Sequence, residues 1–194
     1  MPTVAARQNI SIKRWTDIPP SARLVPAIDA VFFEAALKRT FADQGERDAF
    51  RERWLGRYLK HDPRWAYLAL DGETVAGYLV GSIDDPAITP RFRDICVPEF
   101  AKFTAKYPAH LHVNLAPKYR NLGVGGRLIA AFVADLDRDK APGLHVITGL
   151  SARNVAFYQR HGLVELARAK LGDNEVILLG KRLIGQEPPR QETA

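Results

Sequence analysis

The chain has 194 residues, 46% of them hydrophobic and 26% charged, enough for one soluble domain with a substantial core. Its net charge is +6, but lysines and arginines are scattered without an aromatic-interleaved stripe, so specific nucleic-acid binding is not expected. No apolar run approaches the ~20 residues of a membrane span, the N-terminal MPTVAARQNISIKRW lacks a secretory core, and the single cysteine, Cys96, excludes an intrachain disulfide and fits a reducing cytoplasm.

In chain order, residues 1–9 read as a flexible N-terminus and Ile10–Trp15 as a first strand. From Val25 to Phe41, Ile28, Val31, Phe32, Ala35 and Ala36 recur at helical spacing. A second helix runs from about Gly45 to Lys60, with Phe50, Trp54, Leu55, Tyr58 and Leu59 as its apolar face, and His61-Asp62-Pro63 ends it. Arg64–Leu70 and Thr74–Ile83 read as strands joined by a hairpin turn at Asp71-Gly72. Residues 84–109 interrupt this pattern with Asp84-Asp85-Pro86, Thr89-Pro90 and Val97-Pro98, then a short helical piece, Glu99–Lys106. An insertion of that length between strands is more often functional than decorative.

A strand at 110–115 and a helix at about 124–138 follow, then a strand at 144–148 and a helix at 154–161 with Gly162 as its C′ residue. Final strands at 163–169 and 175–183 are joined by Leu171-Gly172-Asp173-Asn174, and 185–194 reads as a disordered polar tail. The order β, α, α, β, β, β, α, β, α, β, β describes a single mixed α/β domain over residues 10–184.

The most telling stretch is HLHVNLAPKYRNLGVGG, His110 to Gly126. Leu111, Val113 and Leu115 alternate with His110, His112 and Asn114, as in a two-faced strand. Pro117 stops it. Arg120-Asn121-Leu122-Gly123-Val124-Gly125-Gly126 then turns the chain into an apolar helical pattern, Leu128, Ile129, Phe132, Val133 and Leu136. Strand, glycine turn and helix start together aim several N–H groups one way, with the positive end of a helix dipole behind them. Gly123 and Gly125 let a ligand approach the backbone, and Arg120 and Arg127 flank the loop. The spacing is neither GxxxxGK[ST] nor GxGxxG, which argues against a P-loop and a dinucleotide fold. Downstream, Asn154 and Tyr158 lie four apart on one helix face beside Phe157. A tyrosine hydroxyl stays protonated at neutral pH and can donate to a leaving group. No HExxH or CxxC spacing exists, so no metal is expected.

These pieces resemble the GNAT family of acetyl-CoA-dependent N-acetyltransferases. Arg120, Gly123 and Gly125 meet its [RQ]xxGxG/A signature, Val113-Asn114-Leu115-Ala116-Pro117 resembles its strand exit, and Asn154 through Phe157-Tyr158 to His161-Gly162 loosely matches its later helix. More narrowly, GYLVGSIDDP, the insertion, and YPAHLHVNLAPKYRNLGVGGRLI look like the acetyltransferase-like domain of O-GlcNAcases and its stand-alone bacterial relatives.

The resemblance implies a mostly antiparallel twisted sheet splayed around an acetyl-CoA cleft, with helices on both faces and 84–109 lining the acceptor side. It implies acetyl-CoA as co-substrate, with Val113, Asn114 and Leu115 along the pantetheine arm and N–H groups from Asn121, Leu122, Gly123, Val124, Gly125 and Gly126 on the pyrophosphate. Arg120, Arg127, Asn154 and Phe157 complete the cofactor set, and Tyr158 protonates the CoA thiolate. His112 is the expected base, with Asp84 and Asp85 as rivals. The expected acceptor is a small-molecule or protein amine, and the expected protein is a cytoplasmic monomer or homodimer. A non-catalytic acetyl-CoA sensor is the alternative.

Overall fold

A computed structural model describes residues 9–150 and 152–183. The ends expected to be disordered fall outside these residues, apart from Asn9. The strands are β1 (Ile10–Arg14), β2 (Ala66–Asp71), β3 (Thr74–Ser82), β4 (Ala109–Leu115), β5 (Gly143–Gly149), β6 (Val164–Leu171) and β7 (Asn174–Arg182). They hydrogen-bond in the order β1-β2-β3-β4-β5-β7-β6. β4 and β5 run parallel, whereas β1–β2, β2–β3, β5–β7 and β6–β7 are antiparallel. The fold is therefore mixed α/β, as the element order predicts, with the mostly antiparallel sheet that the resemblance implies.

The described chain divides into two compact units, one reaching to Gly81 and including His112–Phe132, the other formed by Ser82–Leu111 and the residues from Val133 on. In the first, β2 and β3 are buried almost end to end, so AYLAL and VAGYLVG read as unbroken apolar runs, while β1 at the edge alternates. The hairpin turns at Gly72-Glu73, one residue later than expected, because Asp71 still pairs with Thr74. Gly72 supplies the left-handed backbone, φ 59°. β2 starts at Ala66 because Pro63–Trp65 forms a 3-10 turn.

Helix α1 (Leu24–Ala35) stops six residues short of the expected end. Arg39 Nη1 donates to the Phe33 carbonyl at 3.0 Å, the oxygen that the next helical turn would have used. Phe41 folds back edge-on to Phe33, 6.0 Å away, and also packs on Phe50. The second helical stretch is α2 (Gln44–Arg51), a π turn (Glu52–Gly56) and α3 (Arg57–His61). Asp43 caps α2 by accepting from the Glu46 N–H at 2.8 Å.

In the second unit, residues 90–104 form 3-10 turns at Pro90–Ile95 and Pro98–Phe100 and then α4 (Ala101–Thr104). This helix is shorter than the expected 99–106, because the Lys106 and Tyr107 N–H groups already fold back to Phe103 O. Val97, Phe100 and Leu178 form a buried cluster with Phe103, Ile147 and Leu166 packed against it. Helix α5 (Val124–Arg138) begins in the first unit and ends in the second. Helix α6 (Ala152–Arg160) begins two residues before the expected start. It closes as a Schellman turn: Leu163 N–H donates to Tyr158 O, Gly162 N–H to Gln159 O, and Gly162 takes φ 82°.

Candidate functional site

Strand β4 changes character along its length. Ala109, His110 and Leu111 are buried, whereas His112, Val113, Asn114 and Leu115 are only half-buried. The exposed half is held against β3 by a glycine. A Cβ added to Gly77 would lie 2.3 Å from Leu115 Cδ2 and 2.6 Å from the Asn114 carbonyl, so no side chain fits there. The Ala116 N–H donates to Ala76 O just beyond, at 3.0 Å.

The chain then turns through Pro117–Tyr119, a 3-10 turn whose Tyr119 hydroxyl donates to Asp71 at 2.9 Å. Asn121 and Gly123 both take left-handed backbone, φ 62° and 77°. No heavy atom lies within 4 Å of a Cβ placed on Gly123. Its glycine is therefore required by backbone conformation, and the space above it is open. Asn121, Leu122 and Gly123 are exposed, Val124 and Gly125 are buried, and Gly126 is half-buried. α5 starts here with no acidic residue in its first turn and with exposed Arg127 in it. The first N–H groups of a helix have no carbonyl a turn back, so this start attracts an anion. Arg120, expected to meet phosphate, donates through Nε to the Leu115 carbonyl at 3.1 Å and ties the loop to the end of the strand.

On the face of β4 that carries the candidate base, His112 Nε2 lies 3.1 Å from the Tyr58 hydroxyl. Trp54 and Tyr58 stand edge-on to its ring, with centroids 5.1 and 5.3 Å away. Trp54 comes from the π turn, a distortion frequent at functional sites. Asn114 Nδ2 donates to the Tyr78 hydroxyl at 2.7 Å. Tyr78 is fully buried on β3, and desolvation pushes its phenol above the ordinary range despite that bond. The spacing of Trp54 and Tyr58, one turn apart, is visible in the sequence; Tyr78, inside a continuous apolar run, carries no such signal.

The remaining candidates lie in the second unit. His110 is buried, edge-on to Phe92 at 4.7 Å and 5.8 Å from the His145 ring. His145 donates from Nδ1 to the Tyr107 carbonyl, and burial pushes its pKa down. Asp84 pairs with Arg91 at 2.5 Å, and Asp85 accepts from the Ala87 N–H at 2.8 Å, so both carboxylates order the start of the insertion. Asn154 Nδ2 reaches Thr148 Oγ1 at 3.4 Å. Tyr158 is buried, with Phe157 edge-on at 5.1 Å, and desolvation pushes its phenol above the ordinary range. Among the described residues there is no group of three His, Cys, Asp or Glu placed to hold a metal, and no helix is long and apolar enough to cross a membrane.

The profile of the acetyltransferase (GNAT) family matches residues 30–163. The chain is similar in structure to SsHAT, with TM-score 0.70 and 22% identity over 91% of this chain and 99% of that one. It is similar to the ribosomal-protein-alanine N-acetyltransferase of Brucella melitensis, with TM-score 0.59 and 18% identity over 89% and 99%. It is also similar to yncA of Salmonella typhimurium, whose structure holds its cofactor acetyl-CoA, with TM-score 0.60 and 15% identity over 94% and 99%. At such identities these three likenesses establish the fold alone.

Proposed function

This chain belongs to the acetyltransferase (GNAT) family, and from that premise we propose that it moves the acetyl group of acetyl-CoA to a primary amine by direct attack. The observation that carries the reading is the turn at Arg120–Gly126. Two left-handed residues open onto exposed space at the start of a 15-residue helix with no acid in its first turn. That is the environment a pyrophosphate requires. The half-buried end of β4 supports a pantetheine arm lying along Val113, Asn114 and Leu115. The likeness of residues 77–86 and 107–129 to the acetyltransferase-like domain of O-GlcNAcases and its stand-alone bacterial relatives belongs to the same proposal.

The chemistry assigns one task to each group. An alkylammonium acceptor gives one proton to His112, and the freed nitrogen lone pair forms a bond to the thioester carbonyl carbon. The C–S bond breaks and the sulfur leaves with the electron pair, while the nitrogen sheds its second proton to water, from which the Tyr158 phenolate is reprotonated once it has given its own proton to the sulfur. Tyr158 is neutral across the working range because burial raises its phenol. It donates its O–H to the sulfur as negative charge develops there. Asp84 and Asp85 order the start of the insertion, whereas His112 lies on the half-buried end of β4 beside Val113–Leu115, which favours it among the three candidates.

The test is acetyl-CoA turnover across peptide N-termini, lysine peptides, polyamines and amino sugars, run beside thermal melting with CoA. CoA at about a hundred times its Kd should add about 2.7 kcal/mol of stability. Tyr158→Phe should keep that stabilisation and lose roughly a hundredfold in kcat. Stabilisation without transfer to any amine would identify a binding module instead. Full activity in Tyr158→Phe would remove its assigned role.

A further inference from the structure

Tyr58 and His112 meet although 54 residues separate them in the chain. Tyr58 is fully buried on α3, while His112 is half-buried on β4. Trp54 and Tyr58 both stand edge-on to the imidazole, at 86° and 74°, which fixes the plane of the ring. The hydroxyl then engages one of its two nitrogens. A neutral imidazole has one N–H and one lone pair, so a partner that accepts from Nε2 leaves the lone pair on Nδ1.

The geometry points to Tyr58 as a positioning residue for His112: its phenolic oxygen accepts the Nε2–H and holds the tautomer whose lone pair is on Nδ1. This rests on the reading of His112 as the base in acyl transfer. When Nδ1 takes a proton from the acceptor, an amine N–H bond breaks and an Nδ1–H bond forms. The ring becomes cationic, and the Nε2–H···O bond becomes charge-assisted and stronger. The contact is therefore worth more during proton transfer than before it, the condition for accelerating a step. The opposite polarity would aim the basic lone pair at a fully buried phenol.

Nitrogen-15 NMR of the histidine rings in the full-length protein reads the tautomer without any turnover. His112, assigned by the signals lost in His112→Gln, should show a protonated Nε2 and a lone pair on Nδ1. Tyr58→Phe should convert this to a mixture and lower kcat roughly tenfold, with KM for acetyl-CoA unchanged. A protonated Nδ1 in the neutral ring of the wild-type protein overturns the assignment, whether or not the variant folds. So does a Tyr58→Phe protein with wild-type spectrum and kcat. Wild-type kcat in His112→Gln would instead refute the base on which the inference rests, whatever the NMR shows.

Discussion

The two halves of β4 differ in what surrounds the same residue type. His110 is enclosed by Phe92 and His145 in the second unit. His112, two residues on and on the same strand face, is half-buried in the first and meets a hydroxyl and two aromatic edges. The first environment suits a histidine that fills space. The second leaves one partly open to solvent, with a hydroxyl and two ring edges against its imidazole. Sequence alternation places both on one face but says nothing of this change from buried to half-open along a single strand.

The largest expected effect comes from filling one close-packed glycine in each unit. In Gly77→Ala the new Cβ meets the Asn114 carbonyl, and in Gly143→Ala it meets the Lys106 and Lys181 carbonyls at 2.7 and 2.9 Å. Backbone oxygens cannot swing aside, so each should cost about 3 kcal/mol or more in chemical denaturation. Only Gly77→Ala should also weaken CoA binding in calorimetry at temperatures where both variants are folded. Equal loss of CoA affinity in the two would erase the distinction between the halves.

Next in size is the contrast between the histidines themselves. His112→Gln should lower kcat/KM for the amine by about a hundredfold with little change in melting temperature. His110→Gln should cost about 1–3 kcal/mol of stability through its buried amide and leave kcat per folded molecule unchanged. The comparison fails if the activity losses are reversed.

A smaller effect tests the loop that follows. Gly123→Ala meets no atom but must hold φ 77°, so it should cost about 1–2 kcal/mol at most. If the loop cradles pyrophosphate, CoA affinity should fall in proportion to any shift in that backbone, while affinity for pantetheine alone should not change.

Much of this architecture is written locally. Strand alternation at 110–115, the helix from Val124 and the left-handed glycines 72, 123 and 162 each follow from a period or a backbone demand. The end of α1 does not, because it depends on Arg39 reaching the Phe33 carbonyl from outside the helix. The π turn that delivers Trp54 has no residue signature. At the candidate site, the glycine turn is legible because it is contiguous. The partners of its neighbours are not: nothing in the composition shows that Asp84 is taken by Arg91, or that Tyr58 meets His112.

The mildest test concerns the histidines that packing keeps neutral. Burial is the first cause of the lowered pKa of His145, and the Tyr107 carbonyl and Asp85 only partly oppose it. His161 is lowered too, first by desolvation and then by Arg160 and Lys181. An unfolded histidine titrates near pH 6.5, so above about that value both states are neutral and the stability contribution is complete. As pH falls through 6.5 the unfolded chain takes up protons that the folded chain resists, and stability declines until the lower folded values are reached. The urea midpoint should be flat from about pH 7 to 8 and fall below about 6.5. His145→Asn should flatten that decline, and His161→Asn should do so less, because its exposed side is screened by water. An unaltered decline in His145→Asn would mean that the enclosed histidines of the second unit are not what acid attacks, and enclosure would then no longer separate them from His112.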